Sequence, residues 1–183
     1  MRILSADYVL AISTVPIERG AVAINGSEIA AVDTHDALRE KFPDVKHEDF
    51  GPAAILPGFV NCHSHLELTS MRGALDSVEH VFGAWLLKIN ELRRVMTEAE
   101  IEAAAADGAL EGARAGVTCF GDIGRLGQAG SSALEKIGLR GVVFQETEFS
   151  PDDKTADDAF ENLKHKFFAL REKHTDLIEI GLS

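Results

Sequence analysis

From Arg2 to about Ile55 the apolar residues fall in short runs, separated by turn residues, which is typical of short strands. Within this region Asn25-Gly26 supplies the residue types that a tight hairpin turn needs. The pattern predicts strands at Ile3–Leu10, Ala21–Ile24, Glu28–Val32 and Val45–Phe50, and a short helix at Asp36–Phe42. Residues 1–55 are therefore predicted to form part of a small β-sandwich.

Beyond residue 55, short apolar runs alternate with segments of helical spacing. The apolar residues of Val81–Met96 recur at helical intervals, so this segment is predicted to be an amphipathic helix. Thr97-Glu98-Ala99-Glu100 has the form of a capping box that opens another helix. Further strands are predicted at Val117–Asp122, Leu139–Gln145 and 178–183, further helices at Ser132–Ile137 and Asp157–His174, and a turn at Ser150–Asp153. Such alternation predicts a parallel sheet with right-handed crossovers.

Composition is that of an ordinary globular domain, with 45% hydrophobic and 26% charged residues. The net charge of -12 argues against nucleic acid or an anionic membrane surface as a partner, since both attract clusters of lysine and arginine. No signal peptide or long apolar span is apparent, and the two cysteines, Cys62 and Cys119, lie on predicted neighbouring strands. We therefore predict a cytoplasmic protein with free thiols and expect Cys62 to be buried.

The segment from Leu56 to His65 carries the clearest chemical signal, because it places two histidines two residues apart at the end of an apolar run. On a strand, His63 and His65 would share one face while Ser64 points away. Two neutral imidazoles on one face can bind a single divalent metal ion, which activates water for hydrolysis. The alternative is a structural histidine pair in a non-catalytic, open α/β module that binds a ligand or partner.

This segment, Pro57-Gly58-Phe59-Val60-Asn61-Cys62-His63-Ser64-His65, resembles the first barrel strand of the amidohydrolase superfamily. His63–Glu67 followed by Phe82–Leu86 further resembles the branch of chlorohydrolases and aminohydrolases, including aminodeoxyfutalosine deaminase-like members. The resemblance implies hydrolysis of a non-peptide C–N bond, most simply the deamination of a nitrogen heterocycle or purine-like nucleoside. It also implies one divalent metal, with zinc favoured over iron, and further ligands and proton-transfer groups that no residue of this sequence matches.

Chain length limits how much of such an enzyme can be present, because a TIM-type (β/α) barrel typically needs about 250 residues. Residues 56–183 are expected to form the first four strands of the barrel and their intervening helices, which is its first half. In the resembled family the sandwich of residues 1–55 is completed by strands from the far C-terminus. We therefore expect the chain alone to be inactive, and to act as a homo-oligomer or with a complementing C-terminal half.

Four other residues are candidates for the site. Glu67 follows the histidine pair and could contact substrate or a ligating imidazole, while Trp85 is predicted to be a core residue or part of the pocket wall for a small-molecule substrate. Asp122 and Glu146 close two predicted strands, at the edge where barrels hold functional groups, although no motif assigns them a role.

Overall fold

The computed structural model of the chain describes residues 1–147, 152–173 and 175–183. These residues divide into two compact units, Met1–Pro57 and Gly58–Ser183. The assignment of residues 1–55 to a partial sandwich and of 56–183 to the barrel portion stays a prediction.

The first unit is one five-stranded sheet with a short helix. Its elements are β1 (Arg2–Val9), β2 (Ile17–Asn25), β3 (Glu28–Thr34), α1 (His35–Lys41), β4 (Lys46–Asp49) and β5 (Ala54–Ile55). The strand order is β3-β2-β1-β4, with β5 also paired to β1. Strands β1, β2 and β3 are antiparallel, and Asn25 pairs with Glu28 across a turn in which Gly26 has a φ of 61°. The predicted strands, hairpin and helix are therefore confirmed, although β2 begins earlier than predicted.

The second unit alternates parallel strands with helices. Its elements are β6 (Phe59–Ser64), a 3₁₀ helix (Leu66–Met71), α2 (Phe82–Val95), α3 (Glu98–Arg114), β7 (Val117–Gly124), α4 (Gly127–Ile137), β8 (Arg140–Gln145), α5 (Asp153–Arg171) and β9 (Ile178–Leu182). All neighbouring strands are parallel, in the order β6-β7-β8-β9. The predicted strand–helix alternation is confirmed, and the carboxyl ends of the four strands meet at one edge of the sheet.

The start of α5 differs from the predicted start, because a capping contact fixes where the helix begins. The carboxylate of Asp152 accepts the backbone N–H groups of Lys154 and Thr155, so α5 begins before the predicted Asp157. The capping box of Thr97 and Glu100 is present at the start of α3. The predicted helix end at His174, and residues 150 and 151 of the predicted turn, lie outside the described residues.

Close packing of α3 on the sheet depends on its small residues. A Cβ on Gly108 would collide with the side chain of Thr69, and one on Gly112 would collide with the ring of Phe120. The helix can therefore approach the 3₁₀ helix and β7 more closely than larger residues would allow. The buried core that results includes Leu66, Ala105, Ala109, Phe120, Ala129, Ala133, Leu134, Val143, Leu170 and Ile178.

The predicted burial of Cys62 is wrong, and of the two interpretations of Trp85 the one that made it a core residue is wrong. Cys62 is exposed, because β6 is an outer strand of the described sheet and its pairing with β7 is irregular between Asn61 and Ser64. Trp85 is half-buried and does not belong to the core, because α2 buries only Ile89 fully. None of the helices in residues 1–147, 152–173 and 175–183 is both long and apolar enough to cross a membrane. The cytoplasmic location stays a prediction.

Candidate functional site

The end of β6, beside the two histidines, pairs irregularly with β7. Asn61 pairs with Phe120 and Ser64 pairs with Asp122, so three residue steps on β6 match two on β7. The amide oxygen of Asn61 accepts the backbone N–H of His63 at 3.2 Å, which satisfies a donor that the ladder leaves unpaired. The His63 residue is exposed.

His65 lies one residue beyond the strand, at the start of the 3₁₀ helix. Its Nδ1 lies 2.9 Å from the carbonyl oxygen of Ile123. Because a carbonyl oxygen can only accept, Nδ1 must donate its proton, and the lone pair of the neutral ring is then on Nε2. The ring centroids of His63 and His65 are 5.1 Å apart, and their planes are nearly perpendicular at 80°. The structure therefore brings the two predicted ligands together and leaves Nε2 of His65 able to bind a cation.

Asp122 supports the residues on either side of His65. One oxygen of its carboxylate, Oδ1, accepts both the Ser64 hydroxyl at 3.1 Å and the backbone N–H of Leu66 at 2.8 Å. The residue is 2% exposed, and burial raises the pKa of this carboxyl to about 6, although the hydrogen bonds from Leu66 and Ser64 act in the opposite direction. Asp122 lies at the predicted edge of the sheet, and its contacts show that it holds the histidine segment against β7.

Glu67 is buried, and both of its carboxylate oxygens are held by the protein. Arg93 of α2 approaches Oε1 at 2.5 Å, and the backbone N–H groups of Arg125 and Leu126 donate to the two oxygens at 3.3 Å each. The residue is 4% exposed. These contacts join the 3₁₀ helix to α2 and to the segment that precedes α4.

A second carboxylate, that of Glu146, lies close to Arg93 and Arg125. Glu146, which follows β8, has Oε2 at 3.5 Å from Nε of Arg125 and at 3.8 Å from Nη1 of Arg93. Arg93 is therefore paired with two carboxylates, Glu67 after β6 and Glu146 after β8, and Glu146 is also close to Arg125. Sequence reasoning had singled out Glu146 by its position at the strand end, but it missed Arg93 and Arg125, because neither belongs to a motif.

Trp85 and His65 line the same groove. Its volume is about 420 Å³, and its walls come from the 3₁₀ helix, the following loop and α2. Trp85 stacks on Phe82 with ring centroids 5.9 Å apart, and Arg72, Asp76 and Glu79 add charged groups to the groove. The groove combines an aromatic wall with a few polar groups, which is typical of sites for small molecules.

The donor set suits a divalent metal but is small. Imidazole nitrogen is a common zinc ligand, and a second-sphere carbonyl that fixes the ring, as at His65, is a usual feature of metal-binding histidines. Within the described ranges, no group of three or more His, Cys, Asp or Glu side chains is arranged to hold a metal ion. The residues present therefore fit two positions of a metal's coordination shell.

The chain is similar in sequence to known deaminases. The chain is 35% identical over 125 residues to the 5-methylthioadenosine/S-adenosylhomocysteine deaminase of Nitratidesulfovibrio vulgaris strain Hildenborough. The match covers 68% of this chain and 28% of that enzyme, so the chain spans less than a third of the length of this relative.

Solved structures show the same fold. Helicobacter pylori aminofutalosine deaminase in complex with methylthio-coformycin superposes with a TM-score of 0.84 and 21% identity, over 100% of this chain and 43% of that one. An adenosine deaminase from Xanthomonas campestris with bound zinc gives a TM-score of 0.73 and 22% identity, over 98% of this chain and 42% of that one. Residues 54–182, which are more than half of the sequence, match the amidohydrolase family. The chain therefore belongs to the amidohydrolase family.

Proposed function

We propose that this chain forms part of the active site of a metal-dependent hydrolase that deaminates a nitrogen heterocycle, with an adenine-like nucleoside as its small-molecule substrate. The substrate class is supported by the deaminase from Nitratidesulfovibrio, whose name specifies two adenine nucleosides. Membership of the amidohydrolase family supports the hydrolytic chemistry. The same two findings argue against the non-catalytic module with a structural histidine pair.

The hydrogen bond from Nδ1 of His65 to the carbonyl of Ile123 is the observation that carries this proposal. A metal-binding histidine must present an unprotonated ring nitrogen, and the bond to Ile123 leaves Nε2 of His65 in that state. We assign His63 and His65 as two ligands of one divalent metal, and zinc is favoured over iron because zinc is present in the Xanthomonas structure. When bound, such an ion lowers the pKa of a water molecule towards neutrality.

Trp85 lines the groove for the substrate, and Glu67 and Asp122 hold the segment that carries His65 in place. Trp85 forms an apolar wall of the groove on which a flat heterocycle can stack, and stacking contributes about 0.5–1.5 kcal/mol beyond burial. Glu67 supports the segment that carries the imidazole, since its carboxylate is enclosed and already bonded. Asp122 holds Ser64 and Leu66, which fixes the backbone on both sides of His65. Assembly as a homo-oligomer or with a complementing segment stays a prediction.

A chimera tests the proposed function. Residues 54–182 would replace the corresponding segment of the Nitratidesulfovibrio deaminase, and ammonia release from 5-methylthioadenosine would be measured. We expect the chimera to be active and the change His63→Ala with His65→Ala to abolish turnover. Activity that survives the double change in a folded chimera would show that the metal site has been misplaced.

The change His80→Ala with His165→Ala provides the matched control. It removes the same number of imidazoles from the same segment of chain. Neither residue lines the groove that contains His65 and Trp85. This control should therefore leave ammonia release close to that of the parent chimera.

A further inference from the structure

Arg93 and Glu67 form an ion pair in which both side chains are largely shielded from solvent. The side chain of Arg93 is 12% exposed and that of Glu67 is 4% exposed, and their closest atoms are 2.5 Å apart. A buried ion pair costs desolvation of both groups, so it is maintained only where the geometry and the surrounding hydrogen bonds are favourable. Glu67 meets that condition through its two backbone donors on Arg125 and Leu126.

Helix α2 has little else to hold it. Ile89 is its one buried residue, and much of its apolar surface faces solvent. The exposed apolar residues at or beside the helix are Val81, Phe82, Leu86, Leu87 and Val95. An amphipathic helix normally depends on burial of an apolar stripe, and here that contribution is small. We therefore expect the ion pair of Arg93 to contribute a large share of the free energy that holds α2 in place.

The same helix supplies an aromatic wall of the groove beside His65. Trp85 lies about two turns before Arg93 on α2, and it lines the groove of about 420 Å³ together with His65. Glu67 lies two residues after His65. The Arg93–Glu67 pair thus links the element that carries the groove wall to the segment that carries the imidazole.

We propose that Arg93 is a positioning residue whose ion pair with Glu67 holds α2, and with it Trp85, against the segment that carries His65. The inference rests on the proposed function only in treating this groove as the substrate site. Loss of the guanidinium leaves the Glu67 carboxylate buried with its backbone donors alone, which favours separation of the helix from the 3₁₀ helix. The strands and α3 do not depend on the pair, so the opening should be local.

Fluorescence provides a direct readout, because Trp85 is the chain's single tryptophan. The full chain would be compared with Arg93→Met, with the conservative variant Arg93→Lys, and with Arg94→Met as the matched control. Arg94 is the next residue of the same helix and is exposed, so its replacement changes net charge equally without touching Glu67. We expect Arg93→Met to shift Trp85 emission to the red and to increase its quenching by acrylamide. Arg94→Met should match the unsubstituted chain, and Arg93→Lys should restore part of the shift.

Amide hydrogen exchange separates local release from general loss of stability. In Arg93→Met, exchange should accelerate in residues 82–95 and remain unchanged in residues 127–137 of α4. Glu67→Gln removes the other charge of the ion pair, so it should also accelerate exchange in residues 82–95 and leave residues 127–137 unchanged. Equal Trp85 emission in Arg93→Met and Arg94→Met would overturn the positioning role. So would an acceleration of amide exchange in Arg93→Met that is equally large in α2 and α4.

Adenosine is the probe for the groove itself. In the unsubstituted chain and in Arg94→Met, adenosine should quench Trp85 saturably, and in Arg93→Met this quenching should be lost. If adenosine fails to affect Trp85 in every variant while exchange changes only in α2, the positioning role stands and the proposed substrate site is refuted. If adenosine quenches Trp85 equally in Arg93→Met and the control, the positioning role is refuted and the substrate site stands.

Discussion

Asp122 accepts the backbone N–H of Leu66 at 2.8 Å, and this bond attaches the residue that follows His65 to the end of β7. The same oxygen accepts the hydroxyl of Ser64. The histidine is therefore flanked on both sides by residues bonded to one buried carboxylate. A carboxylate in this position is both a support for the site and a group whose charge is unfavourable in a buried environment.

The raised pKa of Asp122 predicts a specific dependence of stability on pH. The folded state binds this proton more tightly than the unfolded chain, because the pKa rises from 3.8 to about 6 on folding. The contribution of the protonated Asp122 to the free energy of unfolding is thus complete below about pH 4 and is lost as the pH rises through about 6. The total loss is on the order of 3 kcal/mol. Asp122→Asn keeps an acceptor oxygen for Leu66 and Ser64 but cannot titrate, so its stability should not show this decline.

Urea unfolding measured at a series of pH values, with a chelator present, checks this prediction. The quantity to compare is the difference in free energy of unfolding between the parent chain and Asp122→Asn. It should favour the Asn variant increasingly as the pH rises across the titration of Asp122. Two parallel curves would mean that the carboxyl titrates as it does in the unfolded chain.

Much of the fold followed from patterns that are local in the sequence. The strand β7 and the capped helix α3 were predictable because alternation and capping depend on residues two to four positions apart. The proximity of His63 and His65 was predictable for the same reason, since both lie in one short segment.

The surroundings of Glu67 were not predictable in this way. Its partners are Arg93, which lies 26 positions later, and backbone groups at Arg125 and Leu126, which are 58 and 59 positions away. The two backbone contacts need β7 to lie beside β6, and the contact with Arg93 needs α2 to pack on the 3₁₀ helix, so no sequence spacing signals them. The exposure of Cys62 has a related origin, because the irregular pairing beside it results from the fit of two strands.

Metal binding by the chain should depend on the histidine pair of the second unit. We expect His63→Ala with His65→Ala to weaken Co²⁺ or Zn²⁺ binding, because an imidazole is the zinc ligand that each contributes. The measurement is a titration followed by cobalt absorption or by competition with a chromophoric chelator.

The chain offers a second close pair of histidines as a control. The rings of His35 and His47 are stacked with centroids 4.3 Å apart, and Nε2 of His35 lies 3.2 Å from Nδ1 of His47. Their joint replacement by alanine removes the same number of imidazoles from the first unit. Equal loss of affinity in the two double variants would contradict a dedicated site at His63 and His65.

Self-association is expected at the outer strand β6. Phe59 is 56% exposed and Val60 is 62% exposed on a strand that lies at one edge of the described sheet. An open edge with exposed apolar residues can pair with another chain, and lysine on such an edge opposes this. Phe59→Lys should therefore lower the weight-average mass measured by light scattering over a range of concentrations. Phe160→Lys, at a similarly exposed position on α5, is the control and should have little effect.

The chain by itself should show no deaminase turnover, although it contains the histidine pair. Two imidazoles are the metal-binding groups that the fold brings together, and the described residues offer no third ligand beside them. A metal held by so few groups is bound weakly. Proton transfer by a placed side chain typically contributes ~10²–10⁴-fold in rate, and the proton-transfer groups that the family implies match no residue of this sequence. The assay is ammonia release from adenosine, 5-methylthioadenosine, guanine, cytosine and a triazine, with added zinc or iron. Residues 1–183 should release none above the blank, whereas the chimera that carries residues 54–182 should be active. Saturable, metal-dependent turnover by residues 1–183 alone would instead require a complete proton-transfer and metal-binding set within this chain.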